Sequence, residues 1–178
     1  MNTIWVTLLK GINRENVAME ELESALRESG LQDIRSVLDS GNLVFSSTQP
    51  RDELEETVRD VLKARFGVAT RPVILKASQF QAVLEENPLG EKCTQAPDNV
   101  HVLFLRKPAL RPDFQQMERF KDSAEAWFLL DDALYLTTPG EFRKSQLAVR
   151  LERLLGVATA PRQWSEVLEI QQLVDSVE

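Results

Sequence analysis

The chain has few of the side chains that most often form metal and catalytic sites. Its 178 residues include one cysteine and one histidine. Cys93 therefore has no partner for an intrachain disulfide, and the two residues cannot supply the four ligands of a structural zinc site. No Walker motif, G-x-G-x-x-G sequence or calcium-binding spacing occurs. The sequence predicts no metal and no cofactor, and it leaves open whether the protein is an enzyme.

Long apolar runs and an excess of positive charge are also missing. The apolar segment that starts at Ile4 ends at Lys10, which is too short for a signal sequence or a membrane span. The net charge is −7, and acidic residues are in excess in both halves. Affinity for phosphate backbones comes mostly from Lys and Arg, so the charge argues against a nucleic-acid partner. We expect a cytoplasmic protein without a membrane segment.

The chain does contain an internal repeat. The tetrapeptide Gly-Val-Ala-Thr occupies positions 67–70 and again positions 156–159, each time after an apolar residue that ends a helical pattern. The spacing between matched positions falls smoothly, from 96 residues (Ile4 to Val100) to 89 residues (Gly67 to Gly156). A repeat of this kind decides the architecture, and it predicts two related halves.

The first half has the pattern strand, helix, strand, strand, helix, strand. The predicted strands are Ile4–Leu9, Ile34–Leu38, Leu43–Phe45 and Pro72–Leu75. Apolar residues recur at helical spacing in the two intervening segments, and Asp39–Asn42 has the composition of a tight turn. This order is that of the ferredoxin-like fold.

The second half repeats the order. Its predicted strands are Val100–Leu105, Trp127–Leu130, Leu134–Thr137 and Val157–Thr159. Ser145 is a candidate N-cap for the second helix of this half. After Thr159, Ala160–Trp164 is predicted to leave the strand and enter a helix, and His101 is predicted to be a half-exposed strand residue.

The predicted fold class is therefore α+β, with two ferredoxin-like halves in tandem. Residues 1–77 form the first half, and residues 78–98 form a linking helix and loop. Residues 99–178 form the second half with an added C-terminal helix.

The first and second strands of a ferredoxin-like half run in the same direction, so the loops that follow them lie at one end of the sheet. These loops bring together a candidate binding site made of Lys10, Gly11, Asn13, Ser40, Gly41 and Asn42. Backbone N–H groups and cations there could hold an anion. The alternative is plain turn formation, with glycine supplying positive φ and asparagine bonding the local backbone.

Arg162 and Trp164 form a second candidate cluster near the C-terminus. An exposed arginine beside a tryptophan is typical of recognition surfaces. The alternative is that Trp164 covers the edge of the core.

Several segments resemble the bacterial "domain of unknown function 1697" family. They are Leu9–Asn13, Met19 with Leu22, Ser40–Phe45, Asn87 with Pro88, Val100–Leu105, and Thr159 with Arg162 and Trp164. The resemblance implies a duplicated ferredoxin-like plan in a cytosolic protein whose biochemical role is not established. The chain departs from the family pattern at Lys10, at the glycine-free Arg14–Asn16, and at Gln163.

Our first functional hypothesis is the binding of a small ligand, an anion among the candidates, or of a protein partner, at the sheet end near Asn13, Asn42 and Arg162. A second is nucleic-acid binding through Trp5 and Phe45 on the sheet face, in the manner of an RNA-recognition motif. A third is an enzyme of unknown reaction. A fourth is assembly through an exposed sheet edge, and both a monomer and a homodimer stay open.

Overall fold

The computed structural model describes residues 1–178 and has an α+β fold. Its strands are β1 (Thr3–Leu8), β2 (Gln32–Val37), β3 (Asn42–Ser47), β4 (Val73–Lys76), β5 (Val100–Leu105), β6 (Ala126–Leu129), β7 (Ala133–Thr137) and β8 (Thr159–Gln163). Its helices are α1 (Met19–Glu28), α2 (Arg51–Phe66), α3 (Ala77–Glu85), α4 (Gly90–Gln95), α5 (Phe114–Phe120), α6 (Leu151–Leu155) and α7 (Trp164–Val177). Short 3-10 turns occupy 97–99, 142–144 and 148–150.

The strands form two four-stranded antiparallel sheets of the same topology. The first has the order β2-β3-β1-β4 and the second has the order β6-β7-β5-β8. Each is the sheet of a ferredoxin-like βαββαβ unit, in which the first and third strands lie in the centre. The predicted fold class is confirmed.

The chain divides into two compact units. Unit 1 contains Met1–Ala82 and Leu168–Glu178, and unit 2 contains Val83–Val167. The sequence predicts a different division, with boundaries after residues 77 and 98. Those boundaries were drawn from the repeated segments and not from contacts within each unit, and they stay a prediction.

In unit 1, the two helices α1 and α2 cover one face of the sheet. Leu22 and Leu26 of α1 and Leu54, Val58 and Leu62 of α2 are fully buried in one core cluster with β1 and β3 residues. The α2 helix has sixteen residues and ends at Gly67, whose left-handed conformation (φ 66°) is the usual glycine termination.

Unit 2 repeats this plan with a much shorter second helix. The α6 helix has five residues and ends at Gly156, again in the left-handed conformation (φ 73°). The prediction that Ala160–Trp164 leaves the strand is wrong, because β8 runs from Thr159 to Gln163 in an antiparallel pairing with β5.

None of the helices is long and apolar enough to cross a membrane.

Candidate functional site

The two loops predicted to meet in unit 1 do so. The backbone N–H of Leu9 donates a hydrogen bond of 2.9 Å to the carbonyl of Gly41. Gly41 has φ +90°, and a Cβ atom added to it would lie 2.7 Å from Cβ of Leu9 and 3.2 Å from Cβ of Ile12. Gly41 is therefore required by the close approach of the two loops, which is a structural role.

The asparagine side chains of these loops bond to the loops themselves. Asn13 Oδ1 accepts from the N–H groups of Glu15 (2.8 Å) and Asn16 (3.2 Å). Asn42 is buried, and its Nδ2 donates to the carbonyl of Val37 and to Oγ of Ser40. These contacts match the turn-forming alternative, in which the amide groups hold the loop conformation.

The remaining candidate residues lie in both units. Lys10 is exposed, its carbonyl accepts from Oγ1 of Thr70 at 3.3 Å, and it is followed by Gly11 with φ +79°. Arg162 and Trp164 belong to unit 2, at the end of β8 and the start of α7. Arg162 is 4% exposed, and its Nη1 donates to the carbonyl of Pro161. Burial lowers the pKa of Arg162 to about 10, while the charge of Glu166 acts in the opposite direction.

Two further sequence hypotheses concern residues that the fold covers. Trp5 and Phe45 are 5% and 1% exposed and lie in the core of unit 1, so their rings do not form a platform on which bases could stack. The Cys93 thiol is half-buried, and burial raises its pKa, although Nδ2 of Asn87 donates to its sulfur. A raised pKa makes this thiol a poorer nucleophile.

The pairing of the strands shows that His101 in unit 2 corresponds to Trp5 in unit 1. Trp5 pairs with Phe45 of β3 and Lys76 of β4. His101 pairs with Leu136 of β7 and Gln163 of β8, the same two neighbours in topology. The two residues thus hold the same position in duplicated sheets, and on both sheets this face is the one that the helices cover.

The covering helix differs between the units. In unit 1, α2 begins after Pro50, and its Leu54 packs in the same core cluster as Trp5. Counting back from the capping glycines Gly67 and Gly156, Pro139 takes the place of Pro50, and Arg143 takes the place of Leu54. Leu54 is buried, whereas Arg143 is exposed.

Ser145 explains why no long helix forms in this segment. Its Oγ donates to Oε2 of Glu125 at 2.5 Å and accepts from the N–H of Ala148 at 3.0 Å. The second contact is that of an N-cap, so a new turn starts at Ser145 and a helix from 140 cannot run through it. Glu125 is buried and also accepts from the N–H of Asp122, which holds the carboxylate in place.

The short helix leaves an open cleft of about 990 Å³ in unit 2. It lies along β5 and β8 beside the segment 139–144, and its volume is at the upper end of the range for small-molecule sites. The lining residues combine prolines, one phenylalanine and side chains of both charges, and they are Asp98, Asn99, His101, Pro139, Gly140, Glu141, Phe142, Arg143, Lys144, Pro161, Gln163 and Glu166.

His101 is the most deeply buried polar side chain of the cleft. It is 9% exposed, and its Nδ1 is fully covered and has no hydrogen-bond partner. The ring of Phe142 lies over the imidazole, with 4.7 Å between centroids and 42° between planes. Burial lowers the pKa of His101, while a hydrogen bond to the backbone of Asn99 and the charge of Glu166 act in the opposite direction. The prediction of a half-exposed histidine is wrong.

Reasoning from the sequence missed the cleft, although the sequence carries a signal for it. Aligning the two Gly-Val-Ala-Thr segments and extending the alignment backwards places a charged residue, Arg143, against a leucine of helical spacing, Leu54. A charge at a core position of a repeat indicates that the core is not closed there.

The comparisons with known proteins agree with the fold. The family model described as "Protein of unknown function (DUF1697)" matches residues 1–135. A solved structure of the conserved bacterial protein SP0830 from Streptococcus pneumoniae is similar, with a TM-score of 0.75, 22% identity, and coverage of 98% of this chain and 99% of that chain. At this identity the likeness concerns the fold alone. Among curated proteins, none matches this chain. Because the family model matches about three quarters of the residues, the chain belongs to the DUF1697 family of proteins of unknown function.

Proposed function

We propose that the protein binds a small polar molecule in the cleft of unit 2. The observation that carries this proposal is the difference between the two units at one position. Unit 1 closes its core over Trp5 with a sixteen-residue helix, whereas unit 2 leaves His101 beneath an open cleft of about 990 Å³. The nearly buried imidazole of His101 and the charged side chains that line the cleft with it are polar groups of the kind that orient a bound small molecule.

Binding fits the site better than catalysis does. The cleft offers one imidazole but no thiol or hydroxyl among its lining residues that could serve as a nucleophile. The hydroxyl of Ser145, nearby in sequence, already makes two hydrogen bonds, since it donates to Glu125 and accepts from the N–H of Ala148. The role supported by these contacts is recognition of a ligand.

The loop site around Lys10, Asn13, Ser40 and Asn42 of unit 1 stays a separate proposal for the same class of ligand. Its support is the meeting of the two loops in unit 1 and the exposed cation Lys10. Gly41 and both asparagines have structural roles there, so we regard the cleft of unit 2 as the better supported site.

Two glycines of unit 2 provide a matched test of the cleft. Gly140 lines the cleft, Gly90 does not, and a Cβ atom added to either would meet no atom within 4 Å. Neither has a positive φ, so both should accept a large side chain. Gly140→Trp should fill the cleft, and Gly90→Trp is the control.

The experiment is a thermal-shift screen of a metabolite library against the native protein and both variants. A ligand at about 100 times its Kd stabilises the folded state by about 2.7 kcal/mol, which raises Tm by several degrees. We expect compounds that stabilise the native protein and Gly90→Trp but not Gly140→Trp. If every stabilising compound acts equally on Gly140→Trp, the ligand does not bind in this cleft; if no compound stabilises the native protein, small-molecule binding is contradicted.

A further inference from the structure

The charges of the cleft show which groups are available to a ligand. Lys144 Nζ lies 3.2 Å from Oε1 of Glu141, so these two charges offset each other. Glu166 lies close enough to the buried guanidinium of Arg162 to raise the pKa of that group. Arg143 and Asp98 are both exposed, and neither makes an ion pair. The charged groups of the cleft that have no charged neighbour are therefore the guanidinium of Arg143 and the carboxylate of Asp98.

The surroundings of His101 indicate which of the two charged groups, Arg143 or Asp98, would anchor a ligand. Its imidazole is nine-tenths buried, with Nδ1 lacking a partner. A neutral imidazole can offer a bound cation one acceptor nitrogen, whereas beside a bound anion it can take up a proton and become a cation. A bound anion also removes the electrostatic cost of the protonated ring, even if it does not reach the covered Nδ1.

We propose that the ligand of this cleft carries an anionic group, a carboxylate, sulfate or phosphate, that is held between the guanidinium of Arg143 and the imidazole of His101, and that His101 takes up a proton when this group binds. This inference rests on the proposed function, because it specifies the ligand of the same cleft. Each mole of anion bound then consumes a fraction of a mole of protons, and affinity rises as the pH falls.

The charged groups that line the cleft with His101 define the sign of this effect. Glu166 at the start of α7, Asp98 before β5 and Glu141 in the segment 139–144 favour the protonated ring, whereas Arg143 and Lys144 in the same segment disfavour it. In the free protein, burial outweighs these charges and lowers the pKa of His101. An added anion contributes one more negative charge at close range, so it raises the pKa.

The chain offers a direct reporter, because His101 is its one histidine. The imidazole Hε1 resonance can be followed by NMR between about pH 5 and pH 8.5 with sulfate, whose charge is constant over this range, and with sodium chloride at matched ionic strength. We expect sulfate to raise the pKa of His101 by about one unit, which corresponds to an affinity about tenfold higher for the protonated protein. Chloride should have a much smaller effect.

Three exposed positions of unit 2 separate site binding from general ionic effects. Arg143→Gln should abolish the sulfate-induced pKa change, and Asp98→Asn, which removes a repelling charge, should keep or increase it. Arg111→Gln is the control, since Arg111 is exposed and outside the cleft and its loss changes the net charge by the same amount as Arg143→Gln. It should leave the pKa change intact.

The inference is overturned if sulfate leaves the pKa of His101 unchanged, or if Arg143→Gln and Arg111→Gln behave alike. If the sulfate test fails in this way but uncharged compounds stabilise the native protein and not Gly140→Trp, only the anionic ligand is refuted. The proposed function, binding of a small molecule in the cleft, then stands. Absence of any stabilising compound would instead refute the proposed function itself.

Discussion

His101 occupies in the sheet of unit 2 the position that Trp5 occupies in the sheet of unit 1, and the two positions differ in what covers them. Trp5 lies under a complete helix in a closed core, whereas His101 lies under the ring of Phe142 at the floor of a cleft. Unit 2 therefore lacks, over His101, the helix packing that unit 1 has over Trp5, and this is where we place the ligand.

Removing the imidazole should not destabilise the protein. In His101→Leu the uncompensated Nδ1 disappears while the apolar contact with Phe142 is kept. We expect the free energy of unfolding in urea to stay the same or to rise by about 1 kcal/mol. His101→Asn keeps a buried polar group in the same place and should not gain stability. A loss of more than about 2 kcal/mol in His101→Leu would show that the histidine is a structural residue.

The difference in unfolding free energy between the native protein and His101→Leu should depend on pH with a defined sign. Burial lowers the pKa of His101 in the folded protein below its unfolded value of about 6.5, so the unfolded chain takes up the proton first as the pH falls. The native protein should therefore lose stability relative to His101→Leu as the pH falls below about 7.5 and on toward the lowered folded-state pKa, and the difference should be constant at higher pH. Urea titrations of both proteins across the range measure it. A difference that grows in favour of the native protein at low pH would contradict the assignment of a neutral buried ring.

Gly41 and Gly30 separate the cost of close packing from the cost of backbone conformation. Both have positive φ, at +90° and +96°, but only Gly41 has a side-chain carbon, Cβ of Leu9, within 3 Å of an added Cβ atom. Gly30→Ala should cost about 1 kcal/mol of unfolding free energy, and Gly41→Ala about 2–4 kcal/mol. Equal losses would mean that the loops of unit 1 can separate to accept a Cβ atom at position 41. Gly41 would then again be a candidate ligand-binding residue.

Ser145 should be a stabilising residue as well as the one that ends the helical pattern. In Ser145→Ala, Oε2 of the buried Glu125 and the N–H of Ala148 both lose their partner, at an expected cost of about 2–3 kcal/mol. The control is Ser24→Ala on the exposed face of α1, where Oγ donates to a carbonyl that the helix already uses, and no loss is expected. If both variants are as stable as the native protein, the interruption at Ser145 has another cause.

Much of this fold follows from the sequence, because the apolar periodicity and the repeated glycine terminations define each element locally. The meeting of the loops at Leu9 and Gly41 follows from topology alone. The error at Ala160–Trp164 arose because Pro161 and polar neighbours resemble a strand end, although Pro161 lies on an edge strand, where a missing N–H is tolerated.

The repeat signals an open core at Arg143, but the form of the cleft does not follow from the sequence in the same way. It depends on the side chain of Ser145 bonding to Glu125, two residues that are distant in sequence and whose pairing no periodicity indicates. The burial of His101 depends in turn on Phe142, which lies in a 3-10 turn rather than in a predicted helix.

Binding in the cleft of unit 2 is tested most directly by the Hε1 resonance of His101 in the presence of a small-molecule extract of bacterial cells. We predict that the extract shifts or broadens this resonance in the native protein and in Gly90→Trp, and leaves it unchanged in Gly140→Trp, where the cleft is filled. An unchanged resonance in the native protein, or the same shift in all three proteins, would contradict the account.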